Sequence, residues 1–413
     1  MVERKAYLER LIRWKDEQVI KVVTGIRRCG KSTLLLQYQA WLKAHGVAER
    51  QIVSVNFEEL EYEELLDYRK LYAYLKERLI PGEKVYIFLD EIQKVPSFEK
   101  AVDSLYVKPD VDLYLTGSNA YLLSGDLATL LTGRYVEIRM LPLSFGEFLE
   151  VTGLGAEAGL AEYLQVGGLP YIAVMDRTPE KVSTYLEGIY NTVIVKDIED
   201  RQSRKDHDPD QRKIKDITLL KTIARYLASV AGSPVSVRSV ADYLVSAGRK
   251  ISANTVDDYV EALTEAFIFY PAERFDIIRK QLLKTNRKYY IVDPGLRNHM
   301  LPRKKYDLGF TLENVVYLEL LRRSYRVTIG KLGNTEVNFV AEKNGAYTYI
   351  QVTADMTAQE TFEREMLPLI QIRDNYEKLI LTGDRLTPGN YNGIQVKYLP
   401  NWLLEASGSN QRS

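Results

Sequence analysis

Cysteine is almost missing from this sequence: Cys29 stands alone among 413 residues. One thiol excludes an internal disulfide framework and suits a reducing compartment. Long apolar runs are missing too. Nothing approaches the roughly 18 residues of a membrane span, and the opening MVERKAYLER has no signal-peptide apolar stretch. A cytoplasmic protein with no membrane partner is the simplest expectation. Charge of one sign is not in excess: 56 basic and 56 acidic residues give a net charge of zero. Any nucleic-acid surface must therefore come from local clustering. Internal repeats and low-complexity blocks are absent, and only the end of the chain, SGSNQRS, has the composition of a disordered tail. What remains is ordinary globular composition, 46% hydrophobic and 27% charged, in a chain too long for a single core.

Three patterns follow one another along the chain. Up to about residue 150, short β-branched runs alternate with amphipathic stretches, as in a parallel sheet flanked by helices. The expected strands are 19–24 (VIKVVT), 52–57 (IVSVNF), 85–90 (VYIFLD), 111–116 (VDLYLT) and 135–140 (YVEIRM). From about 155 to 300 helical periodicity dominates. Beyond 311 the signals are a helix, several strands, another helix and two more strands. The expected divisions are 1–152, 153–305, 306–405 and a tail at 406–413.

The chemistry is concentrated in the first of these. Gly25, Ile26, Arg27, Arg28, Cys29, Gly30, Lys31 and Ser32, followed by Thr33, form a Walker A segment between an apolar strand and a helix. Glycines let backbone N–H groups face phosphates, and the helix N-terminus favours negative charge. Lys31 brings a point charge to the β- and γ-phosphates, and Ser32 can ligate Mg²⁺. About 60 residues on, VYIFLDE runs an apolar strand into two acids. Asp90 can hold the Mg²⁺ shell, and Glu91 is placed to activate water. Two such motifs, each at a strand's C-terminal end, make ATP with Mg²⁺ the expected cofactor pair. The next strand ends in TGSN, so Ser118 or Asn119 can sense the γ-phosphate; a helix N-cap is the plainer use of these residue types. Arg134 precedes the last core strand, where an arginine can reach a neighbouring subunit's phosphates. Pairing with a local acid is the alternative.

Taken together, GIRRCGKSTLL, FLDEIQ, TGSNA, LTGRY and LPLSFGEFL resemble a group of prokaryotic AAA+ ATPases that carry a C-terminal nuclease-like domain. GGLPYIAV, YNTVIVKDI and VDPGLRN look like the same family. The resemblance implies an α/β fold: a P-loop AAA+ parallel-sheet domain, a helical and winged-helix-like domain, and an α/β domain similar to PD-(D/E)XK nucleases. It also implies a homo-oligomeric ring, commonly a hexamer.

The middle of the chain reads as helix, turn, helix, with the second helix starting after Ser252 and ending near Phe267. Its residues Asn254, Thr255, Asp257, Asp258 and Glu261 include three acids, which argues against close approach to DNA. Between Arg274 and Lys305 lie ten basic residues (274, 279, 280, 284, 287, 288, 297, 303, 304 and 305) against two acids, Asp276 and Asp293. This strip, with Tyr289 and Tyr290 interleaved, is a candidate nucleic-acid surface. In the last division the nuclease-like resemblance assigns Glu313 to the first metal-site carboxylate. Asn338 stands where an aspartate belongs, Gln351 replaces the next acid, and Thr353 replaces the lysine. Amides lack the charge a hard dication requires, so no nuclease activity is expected, although Glu336 shares a strand face with Asn338. Two functions compete on this reading. One is an ATP-driven protein acting on forked, junction or single-stranded DNA; the other is a nucleotide switch controlling a protein partner.

Overall fold

The computed structural model describes residues 2–118, 133–193, 214, 216–301 and 308–405, without the side chains of 284 and 285. The chain packs as two compact units, Met1–Pro142 with Glu265–Phe267, and Leu143–Thr264 with Ile268–Ser413. No helix among the described residues is long and apolar enough to cross a membrane.

The first unit is built on a sheet of β1 (Ile20–Thr24), β2 (Ile52–Asn56), β3 (Val85–Asp90), β4 (Val111–Gly117) and β5 (Tyr135–Arg139). Their order is β2-β3-β4-β1-β5, and every neighbouring pair is parallel. The strands β1, β3 and β4 are buried along their whole lengths. This explains why the sequence spells them as continuous apolar runs rather than as alternation. Val22, Val55, Ile87, Leu89, Leu113 and Leu115 pack with Leu71, Leu75 and Val102 into one core. Near the N-terminal ends of the strands a fully buried Lys21–Asp112 ion pair is completed by Tyr114 Oη, which donates to Asp112 at 2.8 Å. Such a buried pair is tolerable only with its remaining hydrogen bonds made. The opposite, C-terminal ends of β1, β3 and β4 converge on the sequence motifs.

The second unit contains a nine-stranded sheet. Its strands are β6 (Pro234–Val235), β7 (Phe269–Asp276), β8 (Gln281–Ile291), β9 (Arg326–Leu332), β10 (Thr335–Lys343), β11 (Ala346–Thr353), β12 (Glu377–Thr382), β13 (Gly389–Tyr391) and β14 (Ile394–Tyr398). The order is β13-β14-β12-β11-β10-β9-β7-β8-β6. Upstream of the β7–β8 hairpin come helices Ile217–Ser229, Val237–Ser246 and Ala253–Glu265, with β6 after the first of them. Ser252 accepts a hydrogen bond from Thr255 N at 3.1 Å at the start of the third. Because β7 pairs in parallel with β9 through Arg274–Ile329 and its neighbours, one sheet runs across residue 305, where the sequence places a boundary. The tail at 406–413 lies outside the described residues.

Two sequence segments with no obvious role, GGLPYIAV and VDPGLRN, meet in this unit. Asp293 caps the helix Pro294–Met300 by accepting from Leu296 N at 2.9 Å, and also accepts from Gly168 N at 2.7 Å. Gly167 sits at φ +84°, and a Cβ there would lie 2.0 Å from Asp293 Oδ1. Glycine is thus required at 167 for both backbone conformation and space.

Candidate functional site

Strand β1 ends at Thr24, and the backbone then turns sharply at Gly25 (φ +146°), Arg28 (φ +64°) and Gly30 (φ +103°) before the helix Lys31–Ala44 begins. No side chain caps that helix, so its first N–H groups are left for another acceptor. A Cβ on Gly25 would lie 2.2 Å from the Met140 carbonyl oxygen. The loop therefore runs against the exit of β5 with no room for a larger residue. Cys29 is fully buried within the loop, and burial pushes its thiol up, which keeps it protonated and unreactive.

Lys31 is 4% exposed; its Nζ donates to Gly25 O at 3.1 Å and lies 3.6 Å from Glu91 Oε1. Glu91 itself adopts φ +54°, a left-handed conformation rare for glutamate that turns the chain as β3 ends. Its other oxygen, Oε2, accepts from Ser118 Oγ at 3.2 Å and from Gln93 Nε2. Burial works to raise the Glu91 pKa, but Lys31, Gln93 and Ser118 together outweigh it and hold the carboxyl below its usual range. Asp90 goes the other way, raised by burial despite hydrogen bonds from Ser32 and Thr116. Thr116 also accepts from Glu91 N at 2.9 Å, so one hydroxyl at the end of β4 joins both acids.

Lys31, Ser32, Asp90, Glu91 and Ser118 are thus brought together, while Asn119 lies outside the described residues. Arg134 is half exposed and ion-paired with Asp103, beneath the ring of Tyr106. Arg27 pairs with Glu58 at 2.8 Å. Three residues were given no role by the motifs. Thr116 and Gln93 sit inside quoted segments, and the polar residue after LDEI was the only hint of the second. Arg4 had no signal at all: it is 2% exposed, and its guanidinium donates to Cys29 O at 2.9 Å and Leu141 O at 2.8 Å. It fastens the phosphate loop to the chain start and to the segment after β5.

A lysine and a helix N-terminus beside a serine and two buried acids can hold a triphosphate with a divalent cation and orient water against it. Residues 17–149 match the family model for the AAA domain. An uncharacterized protein of Haemophilus influenzae is 39% identical over 411 residues, 98% of this chain and 99% of the relative. Residues 17–149 are an AAA domain, and the chain belongs to one family with that relative. A second uncharacterized relative of this AAA protein, from Methanocaldococcus jannaschii, is 30% identical over 342 residues, 79% of this chain and 70% of that one. The Walker-type ATPase of Pyrococcus abyssi has a similar fold, with a TM-score of 0.51 at 17% identity, over 73% of this chain and 96% of that one. Residues 157–307 match a domain of unknown function, DUF8612. An AAA domain implies nucleotide and divalent-metal use, and the residues at this site suit both.

The second unit of the AAA protein holds the other residues singled out in the sequence. Glu313, in the helix Leu308–Arg322, is 5% exposed. Its Oε1 accepts from Tyr290 Oη at 2.6 Å and Lys288 Nζ at 3.1 Å, and its Oε2 from Asn338 Nδ2 at 2.9 Å. Lys288 also reaches Glu336 Oε1 at 2.5 Å. Gln351 Oε1 accepts from Asn338 N at 2.7 Å, and Thr353 Oγ1 donates to Asp355 O at 3.1 Å. The basic strip is therefore less of a surface than its composition implied. Lys288 and Arg297 are buried, residues 303–305 lie outside the described residues, Arg279 and Lys280 are exposed at the hairpin turn, and Arg287 is exposed farther along β8, 3.6 Å from Glu273.

Proposed function

We propose that this chain hydrolyses ATP with Mg²⁺ at the site formed by Lys31, Ser32, Asp90, Glu91 and Ser118. The observation that carries the reading is the Glu91 carboxylate, buried, ionised and held at 3.6 Å from Lys31 at the mouth of the phosphate loop. Backbone N–H groups of residues 26–33 bind the phosphate oxygens, and Gly25 and Gly30 give the loop its turn. Ser32 and Asp90 would hold the cation, which would supply positive charge to offset that of the phosphates. Lys31 leaves Glu91 for the phosphates. Glu91 then accepts a proton from the water that attacks the γ-phosphoryl group, and Ser118, with Asn119 as the further candidate, keeps the carboxylate and water aligned. Steady-state phosphate release by the purified chain tests this assignment; an absence of ATP binding would overturn it.

We assign the output of the cycle to branched or single-stranded DNA, engaged by a ring, most simply a hexamer, in which Arg134 exchanges Asp103 for a neighbour's γ-phosphate. The order helix, strand, helix, helix, hairpin supports a winged-helix-like reading of residues 217–291, and the exposed Arg279 and Lys280 at the hairpin turn, with Arg287 exposed on β8, support contact with phosphates. Residues 306–405 are assigned as nuclease-like and non-cleaving, on the positions of Glu313, Asn338, Gln351 and Thr353. One observation favours the alternative, a switch acting on a protein partner. Asp257 and Glu261 are exposed on the helix Ala253–Glu265, the face a DNA-reading helix would present. Forked or single-stranded DNA is expected to stimulate turnover of the wild type. Arg134→Ala should lower turnover by about 10³-fold or more without loss of ATP binding. Turnover indifferent to every DNA would favour the switch, and unchanged turnover in Arg134→Ala would place the ring's arginine elsewhere.

A further inference from the structure

Lys288 has the least expected position of any charged side chain in the second unit. It lies on β8 between the exposed Arg287 and the buried Tyr289, yet is itself 2% exposed. Strand alternation puts it on the same face as Tyr290, and both side chains end on Glu313 Oε1. Its ammonium is 3.1 Å from Glu313 and 2.5 Å from Glu336, so a single nitrogen bridges carboxylates from a helix and from β10.

A divalent ion does not fit among these residues while Lys288 is in place. Hard cations take six or more oxygen ligands. Here both Glu313 oxygens already accept from Lys288, Tyr290 and Asn338. Asn338 Oδ1 accepts from Val352 N at 2.9 Å, and Gln351 Oε1 from Asn338 N at 2.7 Å. Among the described residues no group of three or more His, Cys, Asp or Glu side chains is arranged to hold a metal. The amides that replace acids at 338 and 351 are thus tied to the backbone of their own sheet, and the position between the two glutamates is filled by a cation that the chain itself supplies.

We propose that Lys288 is the resident cation of this pocket: its ammonium stands between Glu313 and Glu336 where a divalent ion would otherwise bind, which makes the pocket a metal-excluding brace. That an ion would otherwise bind here rests on the nuclease-like reading; its exclusion by Lys288 rests on the contacts of Glu313, Glu336 and Asn338. A covalently attached ammonium satisfies both carboxylates without an ion from solution and opposes any dication that approaches. It also ties the β7–β8 hairpin to the helix Leu308–Arg322 and to β10. Removing it leaves two carboxylates sharing one site, an arrangement that favours uptake of another positive charge.

The test is Mn²⁺ binding to the full chain without nucleotide, followed by electron paramagnetic resonance. The wild type should show no binding that Glu313→Gln removes. Lys288→Ala should gain a Mn²⁺ site at least about tenfold tighter than any in the wild type, as expected when a like charge leaves a carboxylate pair. The gain should vanish in Lys288→Ala with Glu313→Gln. Because Lys288→Ala strips a buried ion pair, its Tm is read with and without Mn²⁺. The ion should raise that Tm and leave the double variant's unchanged. Glu313-dependent Mn²⁺ binding by the wild type would overturn the proposal. So would a Lys288→Ala protein with wild-type Mn²⁺ affinity, or metal-dependent DNA cleavage by the wild type that Glu313→Gln abolishes. ATP turnover is not read in any arm, so failure here is distinct from failure of the ATPase assignment.

Discussion

Glu91→Gln is expected to lower steady-state ATP hydrolysis by about 10²–10⁴-fold while leaving ATP binding in place. The substitution keeps the shape of the side chain and an oxygen for Ser118, which donates to Glu91 Oε2 at 3.2 Å. It removes the carboxylate beside Lys31 that can take a proton, while Asp90 keeps its hydrogen bonds from Ser32 and Thr116. The pH dependence should follow from the same geometry. Lys31, Gln93 and Ser118 overcome burial and keep Glu91 below the usual carboxylate range in the free protein, so the base is ionised throughout the neutral range. When Lys31 moves to phosphate, the strongest of those lowering influences departs and the carboxyl rises toward a pKa better matched to proton transfer. The acid limb of kcat should therefore lie at higher pH than that of kcat/KM. Phosphate release at saturating ATP and equilibrium binding of a fluorescent ATP analogue read the two halves of the prediction. Turnover close to wild type in Glu91→Gln would move the base to another residue.

The second large effect concerns stability. Asp293→Ala leaves the buried N–H groups of Gly168 and Leu296 without their acceptor, at about 1–3 kcal/mol each, or about 2–6 kcal/mol together. For a unit of this size that corresponds to a fall in Tm of roughly 10 °C. The deficit should also depend on pH in a fixed direction. Burial raises the Asp293 pKa to about 6 from an ordinary 3.8, against the pull of the backbone N–H groups. Between about pH 4 and pH 6 the folded chain holds this proton while the unfolded chain has released it. The wild type therefore loses stability as pH rises through that window, by about 3 kcal/mol in all. Asp293→Ala has no such step, so its deficit should be largest near pH 4 and smaller at pH 7. Parallel melting curves for the two proteins across this range would contradict the burial argument.

The parts of the molecule legible in the sequence are those where local pattern and tertiary environment coincide. Strands buried on both faces must be apolar along their length, and so 85–90 and 111–116 could be located to within a residue or two of β3 and β4. Chemistry at the ends of such strands is legible for the same reason, since Asp90, Glu91 and Ser118 interrupt apolar runs. Arg4 could not be found this way. It acts on carbonyl oxygens 25 and 137 residues away, and no periodicity records a partner at that distance. Lys288 was missed for a different reason. Counting charges along a segment ignores the face each occupies, and its alternation with Tyr290 was the available signal. The ion pair of Arg134 with Asp103 likewise depends on the helix Phe98–Tyr106 lying beside the chain just before β5, which spacing alone does not give.

The sheet that continues from the hairpin into β9 constrains how this gene can be cut or recombined. A fragment ending at residue 305 would keep β7 but lose its parallel neighbour, exposing an unpaired edge and leaving Lys288 with neither glutamate. Open edges of this kind recruit other chains. Expression of 1–305, or of 306–413 alone, should therefore yield aggregates instead of two working halves, and grafting the terminal segment onto a different ATPase would have to carry the hairpin with it. The segment that pairs as one sheet begins before residue 305, and the hairpin goes with the strands that follow it.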